Sequence, residues 1–344
     1  MLEKNTASLL KIILLIAAIL AGIWIAFAIS WVIKLLVISL LLVYVLFPVT
    51  EFLKQRANLS HFLSVILTFS ILFIIVVIFI VFIVPVVQKE MEEVLVDFPF
   101  YIQQLQRYLQ DFMEYLETYD LDPEFLETIT EVSADLQLLL DELASISISV
   151  LTSVLNIFFI LFIVFYLLFD FHNVRASLIN TIPPKYQDRA KEIMGIVDRN
   201  IGDYIRGNVI RCSIVGILSG SFLFSFGMPF ALLFGLIAGV LNIILYIGPV
   251  MAAIPPLVLS FSPMTPSPFI VVAIYVGVQI IDGVLLAPVL LGKAVKLRPI
   301  TIIVSLLIGQ QLAGFLGMII AVPAAGICRD LLEYRHKDEQ NQHL

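Results

Sequence analysis

Long apolar runs, separated by short charged links, set the pattern of this chain. A run of about 20 apolar residues makes a helix long enough to cross the hydrocarbon core of a membrane. Eight segments of the chain are mostly apolar over lengths of this order. In chain order they are 9–29, 31–49, 62–87, 143–169, 212–226, 231–261, 268–291 and 300–328. The pattern therefore predicts an all-α polytopic membrane protein with about eight transmembrane segments.

Two of these runs contain residues that break helices. Gly248-Pro249 interrupts the run 231–261, and glycines that include Gly314 interrupt the run 300–328. Irregular backbone at membrane depth is tolerated only where protein or water covers it. We therefore expect at least one broken or re-entrant helix. Whether each run crosses once or forms a hairpin is left open by the sequence, and so is the side of the C-terminus.

Polar segments divide the chain into regions. Segment 1–87 carries the first three predicted spans, and 212–328 forms a C-terminal transmembrane core that ends in the polar tail 329–344. In 88–142 apolar residues recur at helical spacing, which predicts an amphipathic helical insert whose apolar stripe packs within the insert or on a sister subunit. Segment 170–211 is basic-leaning and predicts an amphipathic helical region at the membrane surface.

The charges indicate which side of the membrane each region occupies. Hydrophobic residues make up 60% of the chain and charged residues 14%, against about 25% charged in soluble proteins. The net charge is −7, but 88–142 alone holds fifteen acidic and two basic residues, so the remainder is +6. Basic loops stay in the cytoplasm. The basic 170–211 and the N-terminus are thus expected inside and the acidic insert outside, and no basic face suits nucleic acid.

Asp282 is the most informative single residue, because residues 212–281 contain no Lys, Arg, Asp or Glu. A carboxylate within an apolar segment is unfavourable unless it has a function or a partner. Gln279 lies three residues earlier, on the same helical face. One interpretation is a proton or cation site in a water-lined path. The other is a structural carboxylate that pairs with Lys293 or an arginine, or that stays neutral and hydrogen-bonded.

The helix breaks supply further candidates for a substrate or ion path. A break frees backbone carbonyls, and transporters often build their sites from such broken helices. The alternative is a simple kink beside a packed asparagine, with small residues that serve close helix packing. The candidates are Asn242, Tyr246, Gly248, Pro249, Gln310 and Gln311.

A cluster of basic and polar residues stands where the cytoplasmic region enters the span 212–226. It consists of Arg206, Asn208 and Arg211, and Lys293 in the short basic loop after 268–291 is grouped with it. One interpretation is anchoring of the helices at the cytoplasmic surface. The other is a gate, or a counter-charge for Asp282.

Signatures of catalysis are missing from the sequence. The four histidines lie in loops and in the tail without the spacing of metal ligands, and no phosphate-binding loop precedes a helix. We therefore expect no enzymatic activity, no metal site, no catalytic residue and no cofactor. The two cysteines, Cys212 and Cys328, are interpreted as free thiols.

Several segments resemble one known family in the same order along the chain. They are 202–208 (GDYIRGN), 239–249 (GVLNIILYIGP), Pro288 with 291–299 (LGKAVKLRP), and 309–323 from Gly309 to Pro323. Together they resemble the AI-2E transporter family, also called PerM-like permeases, over nearly the whole chain. The resemblance implies a bacterial inner-membrane transporter with about eight spans that assembles as a homo-oligomer.

The same resemblance frames the function. Members of the family have been linked to export of the signal autoinducer-2, and others to exchange of sodium or lithium for protons. We expect a secondary transporter that exports a small polar solute or exchanges a monovalent cation for protons, with lipid as its surroundings. The alternative is a channel-like or structural homo-oligomer without proton coupling.

Overall fold

A computed structural model describes residues 29–117, 150–263, 265–291 and 297–342, and the regular elements in these ranges are all helical. The predicted first span, most of the second half of the acidic insert, and Lys293 lie outside them. The helices are α1 (Ser30–Arg56), α2 (His61–Ile78), α3 (Val84–Glu117), α4 (Val150–Asn180), α5 (Gln187–Ser225), α6 (Ala231–Leu241), α7 (Ile247–Leu259), α8 (Pro268–Ile281) and α9 (Pro299–Gln342). Further helical turns are the π-helices Phe79–Ile83 and Asp282–Leu291 and the 3-10 turn Pro184–Tyr186.

The prediction of a polytopic helical membrane protein is confirmed. Within the described ranges, six helical stretches are long and apolar enough to cross a membrane. They are Ser30–Arg56, His61–Asp97, Leu155–Asn180, Pro184–Ser225, Pro268–Leu291 and Pro299–Tyr334. Two shorter apolar helices, α6 and α7, accompany them.

Helix α5 joins two regions that the sequence pattern separates. It runs without a break over 39 residues, which is about 58 Å at 1.5 Å per residue. This is roughly twice the thickness of the hydrocarbon core. The polar segment that begins at Gln187 and the apolar segment that ends at Ser225 are therefore one rigid rod, which is longer than the hydrocarbon core is thick.

Helices α6 and α7 form a hairpin, and each of its two arms is too short to span a membrane. With 11 and 13 residues, each is about 16–20 Å long, too short to span. The chain reverses at Tyr246, which has a φ of +68°. The two ends of the hairpin return to one place, because Met228 and Thr265 line the same cavity. We call residues 231–259 the first hairpin.

Helix α9 also folds back on itself. Its helical dihedral angles fail at Ala313 and at Gly314, whose φ is +62°. A Cβ atom on Gly317 would lie 1.9 Å from the carbonyl oxygen of Gly309, whereas eight residues of straight helix separate two positions by about 12 Å. The arms on either side of the break therefore pack against each other. We call them the second hairpin; together the two hairpins match the expectation of broken or re-entrant helices.

A polar contact ties the N-terminal helices to α5. The hydroxyl of Tyr44 on α1 donates to Asp198 Oδ1 on α5 at 2.8 Å. Arg175 on α4 pairs with Asp198 Oδ2 at 2.7 Å. One carboxylate thus connects three helices at the N-terminal half of α5.

Candidate functional site

Arg211 and Asp282 form an ion pair in the interior of the transmembrane core. Arg211 Nε donates to Asp282 Oδ1 at 2.7 Å, and Nη2 donates to Oδ2 at 2.9 Å. The two side chains are only 3% and 2% exposed. Of the two interpretations of Asp282, the structure shows the carboxylate paired with an arginine. The partner comes from the cluster 206–211, so Arg211 is the counter-charge.

Two asparagines extend this polar cluster towards the first hairpin. Asn208 Oδ1 accepts from Arg211 Nη1 at 3.0 Å, and Asn208 Nδ2 donates to the carbonyl of Ile243 at 3.4 Å. Ile243 follows the end of α6, where the helix break frees its carbonyl. Asn242, the residue before Ile243, is fully buried.

The remaining sequence candidates are placed differently. Gln279 is half-buried one turn before Asp282, and Gly248 is buried against the carbonyl of Leu241. Tyr246 is exposed at the turn of the first hairpin. Arg206 pairs with Asp203 one turn away at the surface, at 2.6 Å, and does not reach Asp282.

Three further candidates lie within the two hairpins and do not join the ion pair. Pro249 is half-buried in the first turn of α7. Gln310 and Gln311 are exposed in the first arm of the second hairpin. They are one turn from the reversal at Gly314, so they mark the end of that arm.

Both hairpins meet around the same stretch of α5. Ile244 and Leu245, at the turn of the first hairpin, belong to one buried cluster with Tyr204 of α5. Leu306 and Val322, from the two arms of the second hairpin, belong to the same cluster. The turn of the first hairpin and both arms of the second therefore pack on the stretch of α5 that leads to Arg211.

A seam of glycines brings α5 and the first hairpin into backbone contact. Gly216 and Gly220 on α5 face Gly235 and Gly239 on α6. A Cβ atom on Gly235 would lie 2.7 Å from the Cα atom of Gly220. The sequence analysis did not single these residues out, although each pair has the four-residue spacing of glycines at close helix contacts in membranes.

An open groove follows this seam. It has a volume of about 820 Å³ and is lined by α5, α6 and, from the second hairpin, Phe315. Most of its lining is apolar, with Ser213, Ser221 and Ser225 spaced along the α5 wall. Cys212, which follows Arg211 in the chain, also lines the groove. The groove therefore offers an amphipathic surface that reaches the residues next to the ion pair.

The structure also brings together two histidines that are distant in sequence. The rings of His61 and His172 lie 6.1 Å apart, and His172 Nε2 is 3.2 Å from Glu51 Oε1. Among the described residues, no group of three metal-ligating side chains has the geometry to hold a metal ion. This cluster joins the ends of α1, α2 and α4.

The fold and the site define a class of protein. Spanning helices combined with two membrane-embedded hairpins around a buried polar cluster are typical of transport proteins. The sequence model described as AI-2E family transporter matches residues 13–336, and the chain belongs to this family. The resemblance noted from the sequence is confirmed.

Individual relatives agree with this assignment. YrrI of Bacillus subtilis (strain 168) is 29% identical over 86% of this chain and 84% of its own length. YueF of the same organism is 26% identical over 86% of this chain and 81% of its own length. The AI-2 transport protein TqsA of Escherichia coli (strain K12) is 31% identical over 44% of this chain and 46% of its own length.

Proposed function

We propose that this protein is a secondary transporter that exports a small, uncharged polar solute, such as autoinducer-2, along the groove between α5 and the first hairpin. The observation that carries the proposal is the meeting of two hairpins and a groove at one stretch of α5. Transporters place their substrate sites at discontinuous helices near the bilayer midplane. The serines along α5 supply hydroxyl groups for such a solute.

The charge at this site favours an uncharged solute over a cation. Asp282 is the only acidic residue within the eight predicted spans, and Arg211 occupies both of its oxygens. A cation site needs an oxygen ligand that is free to coordinate the ion. Exchange of a monovalent cation for protons is therefore the second candidate, supported by the presence of a carboxylate at this depth.

The two hairpins also support an orientation with the basic regions on the cytoplasmic side. If neither hairpin crosses the membrane, the loop 292–298 lies on the same side as the first half of α5. The contact of Gly207 with the carbonyl of Leu290 and the bond from Asn200 to Asp330 at 2.8 Å fit this arrangement. The loop and the tail then both obey the positive-inside rule. We infer that the loop, the tail and the N-terminus lie on the cytoplasmic side of a bacterial inner membrane.

Blocking the groove tests the proposed path. Ser213 lies on the groove wall and is exposed, so Ser213→Trp places an indole in the path. Ile280→Trp adds the same ring at an exposed position on α8 that does not line the groove. With autoinducer-2 trapped in proteoliposomes, we expect Ser213→Trp to lower efflux at least tenfold and Ile280→Trp to keep the parent rate. Equal rates for the two variants would remove the groove from the path.

Measurements of ion movement distinguish solute export from the alternative functions. Sodium- or lithium-driven proton movement that disappears in the double variant Arg211→Gln with Asp282→Asn would favour cation exchange. Ion currents that follow their gradient in a planar bilayer, without proton movement, would favour a channel-like protein. Efflux of the solute without either signal supports the proposal.

A further inference from the structure

The first hairpin begins with a helix that lacks a cap of its own. Phe230, the residue before α6, has a left-handed φ of +58° and its side chain accepts no hydrogen bond from the helix. The first turn of α6 contains no acidic residue. The first N–H groups of any helix need acceptors, and the partial positive charge there favours an anion. An acceptor for these N–H groups therefore comes from another part of the protein or from water.

Glu90 on α3 supplies it. Its Oε2 accepts a hydrogen bond of 2.8 Å from the backbone N–H of Leu233. The two residues are 143 positions apart in the chain. A bond from a helix N-terminus to a carboxylate is charge-assisted and stronger than a neutral one. The contact therefore ties the helix that leads into the acidic insert to the outer end of the first hairpin.

The surroundings of this bond leave room for movement. A cavity of about 590 Å³ lies between α3 and the start of the hairpin, lined by Glu90, Pro229 and Phe230. The described charged groups beside Glu90, Lys89 and Glu93, lie on its own helix and pair with each other at 3.6 Å. Residues 226–263, which include the first hairpin and the turns on either side of it, contain no charged side chain. Among the described residues, Glu90 forms the hydrogen bond between α3 and the first helix of the hairpin.

We propose that Glu90 is an outer latch that holds the first hairpin against α5. While the carboxylate of Glu90 caps α6, the hairpin lies on the glycine seam and forms one wall of the groove. When the bond breaks, the start of α6 is left uncapped, and the hairpin loosens from α3 and from the glycine seam. Movements of α3 then reach the groove through Glu90, a positioning residue, together with the apolar contacts between α3 and the hairpin.

A native thiol reports the position of the hairpin. Cys212 is buried, and its backbone carbonyl lies 3.0 Å from a Cβ atom placed on Gly239 of α6. Displacement of α6 from the seam exposes this thiol. Cys328 is exposed, so Cys328→Ser leaves Cys212 as the single thiol. Labelling of Cys212 needs no solute, so the latch and the proposed transport path are tested separately, although the consequence for transport rests on the proposed function.

The experiment measures the rate at which N-ethylmaleimide modifies Cys212 in proteoliposomes of the Cys328→Ser protein. Glu90→Ala removes the acceptor and is expected to raise the rate about tenfold, the factor that corresponds to a charge-assisted hydrogen bond. Glu90→Gln keeps a neutral acceptor, so its rate is expected between the two. Glu93→Gln changes a charge one turn away that does not bond the hairpin, and it should label like the parent.

Clear results would overturn the latch. If folded Glu90→Ala labels at the parent rate, the bond does not hold the hairpin. If Glu90→Ala yields no folded protein, Glu90→Gln decides: faster labelling than the parent supports the latch. Parent-like labelling in that variant would assign Glu90 a purely structural role. Rates that rise equally in the Glu90 and Glu93 variants would point to the charge of α3 and not to the cap.

Discussion

The guanidinium of Arg211 and the carboxylate of Asp282 meet at two points, across 71 positions of the chain and with almost no exposure to solvent. The planar fork of an arginine matches a carboxylate in this two-point geometry. Gly207, one turn before Arg211 on α5, lies against the carbonyl of Leu290, so α5 and the π-helix are in contact at a second place as well. The pair therefore fixes the register between these two elements.

We predict that replacing only one residue of the pair lowers the stability of the protein. Asp282→Asn leaves an uncompensated buried arginine, and Arg211→Gln leaves a buried carboxylate. Removal of one partner of a buried pair costs about 3–5 kcal/mol. The double variant removes both charges and is expected to recover at least half of the loss. The measurement is thermal unfolding of the purified protein in detergent, arranged as a double-mutant cycle.

The cycle also has a defined negative result. Losses that simply add in the double variant would mean that the two side chains do not interact in the folded protein. A suitable control is the surface pair Arg206 and Asp203, since exposed pairs contribute about 0–1 kcal/mol. We expect no measurable coupling there.

The glycine seam gives a second prediction. A Cβ atom on Gly235 would lie 2.7 Å from the Cα atom of Gly220, so Gly235→Ala must push α6 away from α5. Overpacking of this kind costs about 1–3 kcal/mol. Gly277→Ala on α8 meets nothing within 4 Å and is expected to be neutral or stabilising, because alanine favours helix. Midpoints of thermal unfolding compare the two, and equal midpoints would contradict the seam.

A third prediction concerns the contact between α1 and α5. Tyr44→Phe removes the hydroxyl that donates to Asp198, and a typical hydrogen bond contributes about 0.5–1.5 kcal/mol. Tyr166→Phe removes a hydroxyl from an exposed ring on α4 and serves as the matched control. Urea or heat unfolding should show a loss for Tyr44→Phe only. A loss of the same size in both variants would argue against a stabilising hydrogen bond between Tyr44 and Asp198.

Much of the fold follows from hydropathy alone. Helices such as α1, α2 and α8 coincide with apolar runs of spanning length. This agreement is expected, because a segment in lipid must satisfy its backbone hydrogen bonds internally, as a helix does. Sequence also located Asp282, because an isolated charge in an apolar run is conspicuous. Its partner could be limited to an arginine or a lysine, but the choice of Arg211 depends on how α5 packs against the π-helix.

Other parts of the site were beyond the sequence argument for physical reasons. Whether Gly248-Pro249 and Gly314 kink a helix or reverse it depends on backbone dihedrals that composition does not determine. The bond from Leu233 to Glu90 joins residues in different regions of the pattern. The facing glycines of α5 and α6 could have been found from their four-residue spacing, a signal that the long apolar runs obscured.

The second hairpin yields the last prediction, because its geometry separates a reversal from a continuous span. A Cβ atom on Gly317 would lie 1.9 Å from the carbonyl oxygen of Gly309. The obstacle is backbone, so no side-chain rotation relieves it, and Gly317→Ala must force the two arms apart. At Gly314 a Cβ atom meets nothing within 4 Å, but the φ of +62° disfavours alanine by about 1–2 kcal/mol.

The expected order of stability therefore runs from Gly195→Ala, whose Cβ meets nothing within 4 Å, through Gly314→Ala to Gly317→Ala, which should be the least stable. Thermal unfolding in detergent gives the order directly. In a continuous helix, Gly317 and Gly309 would be about 12 Å apart and alanine at 317 would be harmless. A parent-like midpoint for Gly317→Ala would thus show that α9 crosses the membrane once, and it would place the tail on the opposite side.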